Sequence, residues 1–86
     1  MALYKVDFVA PAAKEFRSLS AEVKRRIGAA VDSLAEDPRP SGVRKLRGHI
    51  GYYRIRVGAY RIVYEIDDDT RLIRVTRIRH RRDVYR

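Results

Sequence analysis

Residues 52–64 follow a two-residue period, and this alternation limits what the chain can fold into more than any other feature. The run divides at Gly58-Ala59. A Gly followed by another residue favours a two-residue type II′ turn, because Gly accepts the positive φ of the first turn position. The segment therefore predicts an antiparallel hairpin. One face of this hairpin is apolar and suited to a core, through the cross-strand pairs Val57/Tyr60, Ile55/Ile62 and Tyr53/Tyr64.

The opposite face of the hairpin carries Arg54, Arg56 and Arg61, with Arg56 directly across from Arg61. Like charges that face each other destabilise a sheet, so a purely structural role would have to explain why the repulsion is kept. Guanidinium groups form bidentate hydrogen bonds with phosphate. We therefore expect this face to bind a phosphate-containing ligand.

The charge of the chain is divided unevenly between its two halves. Residues 1–38 hold six basic and six acidic side chains, which cancel, whereas residues 39–86 hold fourteen basic and five acidic ones and so the whole net charge of +9. Thirteen of those fourteen basic residues are Arg, the side chain best suited to phosphate contacts and to stacking on bases. A merely soluble basic surface would more often use dispersed Lys. The pattern therefore favours a polyanionic partner, with nucleic acid first.

Strand and helix periods divide the rest of the chain into a few short elements. They are a strand at Leu3–Val9, a helix from Pro11 to about Leu19, a second helix from the N-cap Ser20 to Asp37, the hairpin, and a strand near Leu72–Ile78. The last strand departs from its period near Arg77, which indicates a bulge or the end of the strand. Residues 43–49 form a basic connector without a clear period.

The predicted order is β-α-α-β-β-β in one domain, residues 1–86, of the α+β class. Two amphipathic helices need one sheet face to cover, so we expect a small antiparallel sheet with both helices on one side and the arginines on the other. The chain has no Cys and no apolar run long enough for a signal peptide or a membrane span. We expect a cytoplasmic protein without a cofactor or a metal site.

Five segments, taken in order, match a known superfamily: Ala13–Phe16, Leu34–Pro40, Lys45–Gly48, Tyr53–Tyr64 and His80–Tyr85. Through them the chain resembles RelE/ParE-superfamily toxins of bacterial toxin–antitoxin systems over nearly its whole length. The resemblance implies a microbial-ribonuclease-like, RelE-like fold with two helices on an antiparallel sheet. RelE-type members cleave mRNA in the ribosomal A site, while ParE-type members poison DNA gyrase.

The resemblance also implies which positions would form a RelE-type catalytic site. They are Arg54, Arg56, Arg61, Arg81 and Tyr85. Because Arg stays protonated at ordinary pH, the residues present suggest His80 as the acid–base group, with His49 and Glu65 as weaker candidates. Further basic side chains are expected to contact mRNA or rRNA, namely Lys45, Arg47, Arg77, Arg79 and Arg82.

A RelE-type site of this composition implies a metal-independent, ribosome-dependent endoribonuclease, an mRNA interferase. The 2′-OH would attack the adjacent phosphate, the arginines would stabilise the added negative charge, and a 2′,3′-cyclic phosphate would remain. Two alternatives stay open: a ParE-type gyrase poison, and a non-catalytic module that binds RNA or the ribosome. The resemblance further implies an acidic, RelB-like antitoxin that forms a hetero-oligomer with the toxin.

Overall fold

The computed structural model describes residues 3–48 and 50–84. These residues form five strands and three helices. In chain order they are β1 (Lys5–Phe8), α1 (Ala10–Arg17), α2 (Ala21–Leu34), β2 (Arg44–Lys45), β3 (Tyr52–Val57), β4 (Tyr60–Asp67), β5 (Leu72–His80) and α3 (Arg81–Val84). The α+β class and the predicted order are confirmed, and the short elements β2 and α3 add to them. None of the helices in the described ranges is long and apolar enough to cross a membrane.

All five strands belong to one sheet in the order β1-β5-β4-β3-β2. Its neighbours pair antiparallel except β1 and β5, which are parallel from Lys5↔Leu72 to Phe8↔Val75. The prediction of a wholly antiparallel sheet was therefore wrong at this edge. No tight turn joins β1 to its neighbour, because α1 and α2 follow β1 directly. Parallel strands need a long connection, and the chain between β1 and β5 provides one.

The hairpin of β3 and β4 has the register that the sequence predicts. Arg56 lies opposite Arg61 and Ile55 opposite Ile62, and the pairing continues to Tyr53 opposite Tyr64. Gly58 has a φ of 59°, in the left-handed region that Gly tolerates best. The alternation and the Gly turn were therefore sufficient to fix which side chains share each face.

The strand β5 contains the expected irregularity and then continues further than predicted. Val63 pairs with Arg77 while Tyr64 pairs with Val75, so Thr76 is an extra residue between them. The Thr76 hydroxyl donates to the Val63 carbonyl at 3.2 Å, which gives the bulged residue a partner. Beyond the bulge the strand regains its alternation and reaches residue 80 instead of ending near residue 78.

The core lies between the two long helices and one face of the sheet. Helix α2 buries the stripe predicted for it through Ile27, Val31 and Leu34, and the Ser20 hydroxyl caps the helix by accepting from the Val23 N–H at 3.3 Å. The sheet contributes these buried side chains: Ile55, Ile62, Tyr64, Ile66, Ile73, Val75 and Ile78. Both helices cover this face, so the other face, with the arginines, stays open.

Candidate nucleic-acid interface

Three arginines occupy one cross-strand row on the open face of the sheet. Arg56 of β3 pairs with Arg61 of β4, and Arg61 pairs in turn with Arg79 of β5. We call these residues the arginine row. Sequence reasoning predicted the first pair and named Arg79 as an RNA contact, but it did not place Arg79 in this row, because the last strand was expected to end near residue 78. Two residues away from Arg56 along β3, Arg54 lies opposite Val63, whose other neighbour is Arg77.

An open pocket of about 280 Å³ adjoins the row and is lined mainly by arginines. Its lining residues are Gly42, Arg44, Arg54, Arg56 and Arg61. None of these lining residues is a carboxylate, so the described lining favours an anion. Arg44 reaches the pocket because β2 pairs it with Arg54. Apart from its place in the basic connector, no sequence signal pointed to Arg44, since a two-residue strand has too few positions to show a period.

Arg61 differs from its neighbours in being buried. It has 8% of its surface exposed and is the buried charged residue among the residues described, although it lies outside the hydrophobic core. Charged groups are kept inside proteins when partners compensate for lost hydration, and Arg61 is not without an interaction partner. A guanidinium held in this way is fixed before any ligand arrives. Arg56, in contrast, is exposed.

The loop between α2 and β2 is tied to the far end of the sheet by Arg39. Its guanidinium donates to both Asp68 oxygens, at 3.3 and 2.9 Å, and to the Tyr53 hydroxyl at 3.1 Å. The Tyr4 hydroxyl also donates to Asp68, at 2.6 Å. Hydrogen bonds from Arg39 and Tyr4 hold the pKa of the Asp68 carboxyl below its usual value. This cluster anchors the chain just before Gly42, at the wall of the pocket.

The structure does not bring His80 to the arginine row. His80 pairs with Tyr60, whose ring it meets edge-on at a centroid distance of 5.0 Å and an angle of 86°. Its Nδ1 accepts from the Arg82 backbone N–H at 3.1 Å. The imidazole therefore caps α3 on the side of the sheet that carries Tyr60. Because successive strand residues point to opposite faces, this is not the face that carries Arg79. This geometry gives no support to the predicted acid–base role.

The remaining predicted residues surround the site without entering the row. Arg81 opens α3, and its backbone N–H donates to the Ala59 carbonyl at 2.6 Å, so α3 is pinned to the hairpin turn. Glu65, a candidate base in the sequence, lies 3.1 Å from Arg74 in an ion pair. Among the predicted basic residues outside the row, those that are exposed are Lys45, Arg47, Arg77, Arg81 and Arg82. The candidates Tyr85 and His49 lie outside the described residues.

Within residues 3–48 and 50–84, no group of three or more His, Cys, Asp or Glu side chains is placed to hold a metal ion. What these residues offer instead is fixed positive charge on an open sheet face. Such a surface can bind phosphate groups and stabilise negative charge that develops on them.

Comparison with known proteins agrees with this architecture. The family described as ParE toxin of type II toxin–antitoxin system, parDE, matches residues 6–85. The toxin RelE3 of Methanocaldococcus jannaschii is 32% identical over 94% of each chain. The mRNA interferase toxin RelE of Escherichia coli is 33% identical, over 95% of this chain and 90% of that protein.

Solved structures show the same fold. The RelE–RelB complex of Pyrococcus horikoshii contains a chain with a TM-score of 0.82 and 29% identity, covering 94% of this chain and 97% of that one. The isolated RelE toxin of E. coli gives a TM-score of 0.80 at 30% identity, covering 90% of this chain and 83% of that one. The chain therefore belongs to the RelE/ParE family of toxins of type II toxin–antitoxin systems, and its named relatives are RelE toxins.

Proposed function

We propose that this toxin is an endoribonuclease that cleaves mRNA in the ribosomal A site and thereby inhibits translation. The observation that carries the proposal is the pocket lined by Arg44, Arg54, Arg56 and Arg61 on the uncovered face of the sheet. Cleavage by the 2′-OH passes through a five-coordinate phosphorane with added negative charge. Guanidinium groups fixed around that position stabilise it without a metal ion.

The arginines of the site have different proposed roles, which follow from how exposed each side chain is. Arg61, buried and fixed, and its cross-strand neighbour Arg56 stabilise the phosphorane. Arg54 and Arg44 bind neighbouring phosphates of the RNA. Arg81 adds charge from α3, and Tyr85 stacks on a base of the splayed RNA, as aromatic side chains do with single strands.

Among the described residues that line the pocket, none has a side chain that accepts a proton at neutral pH. We therefore propose that cleavage depends on the ribosome, which holds the 2′-OH in line with the phosphate. The 2′-OH proton then passes to solvent, and the leaving 5′-oxygen takes a proton from solvent. Free RNA should be cut poorly, and EDTA should leave any residual cleavage of free RNA unchanged.

A RelB-like antitoxin is the proposed partner. Several related structures are RelE–RelB complexes, and the net charge of +9 suits an acidic segment that folds as it binds. An apolar groove of about 400 Å³ between α2 and β3, lined in part by Leu34, Ile55 and Val57, can receive an apolar stripe of that segment. Toxin and antitoxin would then form a hetero-oligomer.

The name of the matched family also supports a second candidate, a ParE-type gyrase poison. Both functions use a basic surface, but only the first requires cleaved RNA. One experiment separates them. Purified toxin is added to a translation system with a defined mRNA, and the positions and ends of any fragments are mapped. Cuts at the A-site codon with 2′,3′-cyclic phosphate ends are the expected result.

A control variant, Arg25→Ala, removes an exposed arginine from α2 and should cut like the parent. Intact mRNA together with trapped gyrase–DNA complexes would assign the protein to the ParE type. Ribosome binding without cuts would instead indicate a non-catalytic binding module.

A further inference from the structure

The carboxylate of Glu15 lies where β5 loses its neighbouring strand. Strand β1 pairs with β5 only as far as Val75, and α1 then runs along the remaining edge. There the Ile78 backbone N–H donates to Glu15 Oε1 at 3.0 Å. A side chain thus supplies the acceptor that a further strand residue would otherwise provide.

The second oxygen of the same carboxylate faces two arginines. Glu15 Oε2 lies 3.6 Å from Arg79 Nε and 3.7 Å from Arg77 Nη1. The Glu15 side chain is 25% exposed, against 42% for Arg79 and 50% for Arg77. The hydrogen bond from the Ile78 N–H holds the carboxylate in place. From this fixed position the carboxylate can orient both guanidinium groups.

This contact matters for the site because Arg79 belongs to the arginine row. Three like charges in neighbouring register positions repel one another, and a mobile side chain at the end of the row would turn away into water. The pair with Glu15 uses the Nε edge of Arg79, one of five guanidinium N–H donors. The contact therefore restricts the guanidinium while other donors stay able to meet a phosphate.

We propose that Glu15 is a positioning residue, which holds Arg79 at the end of the arginine row in the orientation that receives an RNA phosphate. The inference rests on the proposed function. Its physical basis is preorganisation: a side chain that is already ordered loses less conformational freedom when the ligand binds.

The variant Glu15→Gln separates this role from a merely structural one. The Gln amide oxygen can still accept from the Ile78 N–H, but the negative charge that attracts Arg79 is gone. We expect a melting temperature close to that of the parent. Single-turnover cleavage of mRNA on saturating ribosomes should slow by about 3- to 5-fold, the effect of losing a partly exposed ion pair.

A double-mutant cycle tests whether the effect passes through Arg79. In an Arg79→Ala background, Glu15→Gln should have no further effect on the cleavage rate, because the side chain it positions is absent. In an Arg54→Ala background, which serves as the matched control, Glu15→Gln should keep its full effect. Equal effects in all backgrounds would overturn the proposal, and so would a Glu15→Gln variant as fast as the parent.

A measurement on the free toxin keeps this inference separate from the proposed function. The ¹⁵N order parameter of Arg79 Nε should be high in the parent and fall below about 0.6, the flexible range, in Glu15→Gln. If the parent does not cut mRNA, the proposed function fails while this measurement still shows whether Glu15 orders Arg79. Equal order parameters in the two proteins would show that it does not.

Discussion

At the scale of single residues, Arg56 and Arg61 face each other but are expected to contribute differently to stability. Arg56 is exposed, so Arg56→Ala should slow mRNA cleavage by roughly 10²-fold, as for a lost transition-state donor, without lowering the melting temperature. Arg61 is 8% exposed, so Arg61→Ala should lower both the cleavage rate and the melting temperature. Single-turnover assays and thermal melts measure the two effects. An Arg56→Ala variant with parental activity would contradict this assignment.

His80 gives a second test at this scale. Asn is a good N-cap residue whose side-chain oxygen can accept from the Arg82 N–H in place of Nδ1. His80→Asn should therefore keep cleavage activity within a few-fold of the parent, whereas His80→Ala should destabilise α3 by about 1 kcal/mol and slow cleavage. Exchange of the Arg82 amide hydrogen reports the cap directly. If Asn and Ala inactivated the toxin equally, His80 would be an acid–base group after all.

At the scale of elements, the turn at Gly58 determines the register on which the arginine row depends. A Cβ at Gly58 would lie 3.0 Å from Arg26 Nη2, and its φ of 59° would strain any side chain. Gly58→Ala should lower the free energy of unfolding by about 1 kcal/mol or more. Gly42→Ala is the matched control, because Gly42 also has a positive φ but no atom within 4 Å of its Cβ position. Urea melts measure both losses, and a Gly58→Ala variant as stable as the parent would contradict the role assigned to this turn.

Elements also show where sequence reasoning succeeds and where it stops. The hairpin was predictable because a two-residue period and a Gly turn are local signals, and the α2 stripe was predictable from its helical spacing. The parallel pairing of β1 was not, since it joins distant parts of the chain. The same limit explains Arg79 and His80: each was assigned a role from its neighbours in sequence, while the length of β5 decides which face each occupies.

At the scale of the whole molecule, Asp68 joins three distant segments through Tyr4 and Arg39. Its pKa is lower in the folded protein than in the unfolded chain, so this contribution to stability is present above the unfolded pKa, about 3.9. It is lost as the pH falls through the folded pKa. Asp68→Asn should therefore flatten the acid side of the stability curve, measured by urea melts between pH 2 and 6. An unchanged slope would show that the cluster does not respond to acid.

The parallel pairing of β1 with β5 also bears on when the arginine row forms during synthesis of the chain. A ribosome makes the chain from its amino end, so Lys5 is made long before its partner Leu72. Until β4 and β5 exist, Ile27 of α2 has no sheet to cover, and pairing between such distant residues forms slowly. The pair of Arg61 and Arg79 is thus assembled late in the life of the nascent chain. An antitoxin present during synthesis would therefore meet the arginine row at the moment the row forms.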